Sequence, residues 1–291
     1  MADGGVIVAR GVMLVALLML AGLPIYGSTT GRGATVPRRL PLALFLLAAV
    51  AIAASAWWAL ASVAAMMAQP LGDLDRAIVV EVLGATPLGA VLKVRLALLA
   101  AVIVIAFVPI GRARLYLAAL TGGAALATCA WTGHAGATEG MVGSAHRVAD
   151  VLHLLAAATW LGALATLLTA LLSNATRADL DRRLSGFATT GTVIVGVVIV
   201  TGVVNTIAIA GWPIPASLLS SRWAGLLAIK LGLFGVMLAL AGINRWRLTP
   251  ALTAGQASAV VHLRRSLLIE TLAGLAIVAL VAVIGTLDPA G

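Results

Sequence analysis

The amino-acid sequence predicts an all-α protein: a polytopic membrane helical bundle with about eight transmembrane helices. Three observations predict it. Hydrophobic residues fill 62% of the 291 positions and charged residues only 10%, a balance that would leave large apolar patches on any water-soluble domain. The apolar runs are long enough to cross about 30 Å of hydrocarbon, which takes about 20 helical residues. They are rich in Ala, Leu and Val without period-two alternation. Of the two structures that satisfy every backbone group in lipid, the helix and the closed barrel, only the helix fits that pattern.

Windows bounded by Pro, Gly and charges place the spans in order at 6–26, 40–68, 89–110, 113–133, 146–172, 186–210, 223–243 and 266–287. The first resembles a signal peptide in length, but it has almost no charged n-region, and the basic residues Arg32, Arg38 and Arg39 follow it; that order favours a retained span. The second closes at Met66 and Met67, just before Pro70, and the third lies between Pro87 and Gly111. Arg112 and Arg114 mark the start of the fourth, which ends in Trp131-Thr-Gly-His134. The fifth opens at His146. The sixth follows the charged stretch 177–183 and stops before Gly211 and Pro213. Lys230 lies within the seventh, and Arg264 and Arg265 precede the eighth. No connection is long enough for a soluble domain, so residues 1–291 read as a single integral membrane domain.

The loops after spans 1, 3, 5 and 7 hold Arg32, Arg38, Arg39, Arg112, Arg114, Arg177, Arg182, Arg183, Arg245, Arg247, Arg264 and Arg265. The positive-inside rule turns these loops to the cytoplasm and both termini to the extracytoplasmic side. The alternate loops carry Asp73, Asp75, Glu81 and Glu139 instead. The formal net charge of +9 is therefore topological and does not mark a nucleic-acid surface, because the cations lie in short inter-helix segments. Trp131, Trp212 and Trp223 are expected at the outer interface and Trp246 at the inner one, as aromatic belts. The lone Cys129 excludes a disulfide framework and a CxxC motif.

Polar groups inside a bilayer are costly, about 2.5–3.5 kcal/mol for a central Asp, Lys or Arg on insertion scales, so each invites a functional question. His134 ends span 4, and span 5 opens with His146, Asp150 and His153, whose spacings of 4, 3 and 7 residues put them on one helical face. Imidazole suits copper, zinc, iron and nickel, and a carboxylate between two histidines either ligates or orients an imidazole N–H. A shallow, outward-facing metal site made of His134, His146, Asp150 and His153 is one reading. The other makes His134 and His146 interfacial polar residues and His153 a helix-packing hydrogen bonder. Met66, Met67 and Met141 are soft ligands suited to Cu(I), or ordinary packing residues. Asn205 and Lys230 lie at similar depth. Lys230 neutralises Asp150, sets a positive barrier in a cation path, or snorkels to the headgroups. Near the opposite face, Asn244, Arg245 and Glu270 are expected to join spans 7 and 8 through an Arg245–Glu270 pair.

The chain has no phosphate-binding Gly-rich loop ending in Lys-Ser/Thr, no phosphorylation motif, and neither HExxH nor GxSxG. It is expected not to be an enzyme.

With these residues assembled, the sequence resembles the copper-resistance D (CopD) family of bacterial inner-membrane proteins, most strongly over 130–287. The resemblance rests on Gly133-His134-Ala135, on Asp150-Val-Leu-His153 running to Trp160-Leu-Gly162, and on Lys230, Asn244-Arg245, Pro250, Leu263-Arg264-Arg265-Ser266, Glu270 and Gly285-Thr-Leu. It implies an eight-span, multi-pass protein of the inner membrane that handles copper, as Cu(I) or Cu(II), moves it across the bilayer and contributes to copper tolerance. His134 and His153 match the family's histidines, with Asp150 beside them. The implied partners are the lipid bilayer and a separate periplasmic CopC-like copper protein, with no nucleic acid. Two alternatives stay open: a haem b electron carrier with histidines of neighbouring helices as axial ligands, and a copper chaperone or assembly factor that binds without transporting.

Overall fold

The computed structural model describes residues 4–29, 38–173 and 177–288. In chain order its helices are α1 (Gly4–Thr29), α2 (Leu40–Met66), the short α3 (Arg76–Ala85), α4 (Pro87–Phe107), α5 (Ala113–Ala127), the one-turn α6 (His134–Ala137), α7 (Gly140–Leu172), α8 (Arg177–Ala210), the one-turn α9 (Ala216–Leu219), α10 (Arg222–Ile243), α11 (Thr249–Thr253) and α12 (Ala257–Ile284). Among the described residues there is no strand. Eight of these helices are long and apolar enough to cross a membrane: α1, α2, α4, α5 with the 3-10 turn Thr128–Trp131, α7, α8, α10 with its continuation to Thr253, and α12.

The ends of the spans depart from the apolar windows for a physical reason. Hydropathy marks the hydrocarbon, while a helix continues wherever its backbone stays hydrogen-bonded. Thus α7 begins at Gly140, ahead of His146, and α8 begins at Arg177, ahead of 186. The seventh span likewise runs past Ile243 through a π-helical turn at Asn244–Leu248 into α11. The loop between α2 and α4 holds a helix that apolar windows miss. There Asp75 caps α3 by accepting the backbone N–H of Ala77 at 2.8 Å.

Helices α1 and α7 form the axis. Half of the most apolar window of α1 and 56% of that of α7 are buried, against 11% for α8 and 6% for α10. α1 packs on α2, α5, α7 and α12; α4 fills the space between α2 and α5; α8 lies on α7, and α10 on α12. The α1–α7 crossing is glycine on glycine. A Cβ on Gly22 would collide with the carbonyl of Ala158, and one on Gly162 with the backbone of Gly22, the small-residue contact that brings membrane helices close.

An even number of spans leaves the start of α1 and the end of α12 on one face. Arg10 Nη1 joins them by donating to the carbonyl of Gly285 at 3.1 Å. That face also carries His134 and the start of α7. The opposite face carries Arg38, Arg39, Arg112, Arg114, Arg183, Arg245, Arg247, Arg264 and Arg265; Arg32 lies outside the described residues. Trp131, Trp212 and Trp246 are exposed at the two faces, as belts require. Trp223 is at the expected end but buried, packed with Leu218 and Ile284.

Candidate functional site

The histidine end is built by a tight reversal after α5. Gly133 has φ +92°, a conformation L residues rarely adopt, and a side chain there would press on the guanidinium of Arg10. The reversal delivers the single turn α6, whose His134 carbonyl accepts from the Thr138 hydroxyl at 2.9 Å. The half-buried imidazole of His134 approaches the carbonyl of Ile284 at the end of α12, with Nε2 at 3.4 Å.

On α7 the other three candidates face three surroundings. His146, almost completely buried, places Nδ1 3.0 Å from the Thr138 hydroxyl. Asp150 accepts from Asn205 Nδ2 of α8 at 3.4 Å, and its charge lies within electrostatic reach of Lys230 and Arg10. His153 sets Nδ1 3.0 Å from the Thr201 hydroxyl, also on α8.

The threonines favour one tautomer of each histidine. A hydroxyl has one proton. That of Thr138 goes to the His134 carbonyl and that of Thr201 to the carbonyl of Val197 at 2.5 Å. With its proton placed so, each hydroxyl oxygen accepts from the histidine beside it. In the tautomer this arrangement favours, His146 and His153 carry their proton on Nδ1 and keep a lone pair on Nε2, the neutral form in which imidazole binds a metal. Among the described residues, however, no three His, Cys, Asp or Glu side chains converge as a metal site would need. The four candidates are strung along one end of the bundle, two held firmly at 3.0 Å and two loosely at 3.4 Å. The thioethers are exposed: Met66 by 60%, Met67 by 39% and Met141 by 90%.

Two cations within the spans went unremarked in the sequence. Arg10 bridges α1 to α12 beside Asp150. Arg95, fully buried in α4, donates Nε to Thr128 at 2.7 Å, Nη1 to the sulfur of Met13 at 2.9 Å and Nη2 toward Cys129 Sγ at 3.7 Å, and lies over the Trp58 ring. The signal was present: Arg95 falls inside an apolar span, where a charge is expensive.

At the arginine end the expected Arg245–Glu270 pair is not formed. The Glu270 carboxylate, 1% exposed, instead accepts the indole N–H of Trp160 at 2.8 Å and Asn244 Nδ2 at 3.1 Å. Arg245 reaches outward to the Thr192 hydroxyl at 2.6 Å. In the π-helical turn Asn244 is buried and Arg245 beside it is exposed, so the amide and not the guanidinium reaches the carboxylate.

Between these two layers, α7, α8, α10 and α12 enclose a cavity of about 460 Å³ lined by His153 and Lys230 and otherwise mostly by apolar and aromatic side chains. Its walls offer an ion few ligands.

Comparison with known proteins gives a consistent result. The family model described as "Copper resistance protein D-like, N-terminal domain" matches residues 1–144, and the one described as "Copper resistance protein D" matches residues 181–284. The segment with His146, Asp150 and His153 falls between the two matches. The chain is 38% identical over 216 residues to "Copper resistance protein D" of Pseudomonas syringae pv. tomato, covering 70% of this chain and 69% of that one. It is 28% identical over 162 residues to "Inner membrane protein YebZ" of Escherichia coli (strain K12), covering 55% of each. No solved structure matches.

Proposed function

The chain belongs to the copper resistance protein D family, multi-pass proteins of the inner membrane with a role in copper resistance, and we propose that it binds copper at its histidine end and carries it across the bilayer. The observation that supports this most is the pair of imidazoles held by threonines at 3.0 Å. His146 and His153 each spend Nδ1 on a threonine and keep Nε2 for a ligand. Their neighbours are poised to move. The contacts of His134 and Asp150 are both at 3.4 Å, at the weak end of hydrogen bonding, so giving them up to a cation costs little. In this reading copper draws His134 and Asp150 toward the two fixed histidines.

The arginine-rich face is cytoplasmic by the positive-inside rule, which turns the histidines and both termini outward. A separate periplasmic CopC-like protein is then the donor. The reading is of a transporter, not an enzyme, with Asn205 and Lys230 setting the charge around Asp150. Metal analysis of purified protein tests the site: wild type should hold copper in stoichiometric amount, and His134→Ala/His153→Ala should lose it. Stoichiometric copper in the double variant, with unchanged cellular uptake, would refute the assignment. Vesicles containing the protein and loaded with a copper indicator separate a transporter, which gives a signal, from a protein that only holds the ion.

A further inference from the structure

We propose that the cavity between α7, α8, α10 and α12 binds a lipid-soluble quinol or quinone, with the ring held between His153 and Lys230. The cavity shares His153 and Lys230 with the copper reading above, so copper and a ring would compete for the His153 imidazole. At about 460 Å³ the cavity has the size of a small-molecule site. α8 rests on α7, and α10 on α12, so the two outer helices form the walls and the two inner ones the floor. Along the rim Ile199, Val203 and Ile207 of α8 and Leu231 of α10 are exposed. The mouth therefore faces the acyl chains, and an occupant arrives from the bilayer.

Its two polar groups select the occupant. Lys230 is a donor with no acceptor and makes no hydrogen bond to the described residues. In the tautomer that gives its Nδ1 proton to the Thr201 hydroxyl, His153 presents Nε2 as an acceptor. A ring that accepts at one oxygen and donates at the other meets both, which is the chemistry of a quinol and of its half-oxidised form; a quinone satisfies Lys230 alone. A phospholipid presents oxygen acceptors only, and an acyl chain presents nothing. Depth points the same way. Lys230 is eight residues beyond Arg222, about 12 Å along a helix, below the level of phosphate headgroups. Trp160 and Phe234, packed edge to face with centroids 5.9 Å apart, both line the cavity and add aromatic surface that a planar ring packs against.

The test uses the full-length protein, purified in mild detergent and freed of copper with a chelator, so that failure here says nothing about the copper site. Organic extraction and chromatography count bound quinone, and titration with decylubiquinone is followed by quenching of tryptophan fluorescence. About one quinone per chain is expected, with affinity lowered about tenfold or more in Lys230→Met, which loses a charge-assisted hydrogen bond. Val203→Phe, a substitution at the exposed rim of the cavity, should also weaken binding by narrowing the mouth. The proposal is overturned if wild-type protein neither retains quinone nor binds it saturably, or if both variants bind as wild type does. Retention of a phospholipid in its place, or a haem revealed by a Soret band, overturns it equally.

Discussion

Trp160 donates its indole N–H to the carboxylate of Glu270 at 2.8 Å, tying the middle of α7 to α12. With Asn244 on the other oxygen, this buried carboxylate has two neutral donors. Removing one leaves acceptor capacity unmet in a place water does not reach, which costs about 1–3 kcal/mol. Trp160→Phe is therefore expected to lower the thermal unfolding transition in detergent clearly, and Glu270→Gln, which keeps an acceptor for the indole, to lower it less. Equal transitions in Trp160→Phe and wild type would show that the bond does not hold the helices.

Arg95 is a different kind of buried charge. Its partners are a hydroxyl, two sulfurs and an aromatic face. Thr128 has its own acceptor in the carbonyl of Ala125, so it is not stranded when the guanidinium goes. Replacing a desolvated charge by an apolar side chain of similar length is often neutral. Lysine keeps the charge but loses the planar fork. The expected order is that Arg95→Met unfolds within about 1 kcal/mol of wild type while Arg95→Lys loses about 1–3 kcal/mol. Thermal unfolding of the two variants side by side decides it, and the reverse order would refute this account.

How far the fold was legible follows from what apolar length encodes. All eight spans were visible because crossing a bilayer demands a long unbroken run. The Gly140 start of α7 and the π-helical turn at Asn244 were not, because backbone bonding continues where hydropathy stops. At the site, spacing placed His146, Asp150 and His153 along one helix. Spacing within a helix says nothing of what lies opposite, so Thr201 and Asn205, 48 and 55 residues away from their partners, could not be paired with them. The Arg245–Glu270 expectation failed for the same reason: opposite charges at similar depth suggested a pair, but Asn244 faces the carboxylate and Arg245 faces outward.

The α1–α7 crossing predicts which glycines matter. A methyl on Gly162 would run into the backbone of Gly22, and backbone cannot rotate away. Overpacking usually costs about 1–3 kcal/mol, and a clash with backbone belongs at the top of that range or beyond it. Gly162→Ala should give aggregated or unstable protein by size-exclusion chromatography. Gly232→Ala on α10, where a Cβ meets nothing within 4 Å, should elute as wild type. Normal elution of Gly162→Ala would mean that the two helices are not so close.

The threonine hydroxyls should be detectable in copper affinity. Thr201→Val keeps the shape but removes the acceptor that holds the His153 proton on Nδ1, and Thr138→Val does the same for His146. Losing such an orienting partner typically weakens metal binding about 10–100-fold, so each variant is expected to fall in that range by competition with a chelator of known affinity. The double variant then reports on geometry. If the two histidines hold one copper ion, the first substitution already spoils the site and the combined loss is smaller than the product of the single losses; independent ions give the product. Unchanged affinity in both single variants would remove His146 and His153 from the copper site altogether.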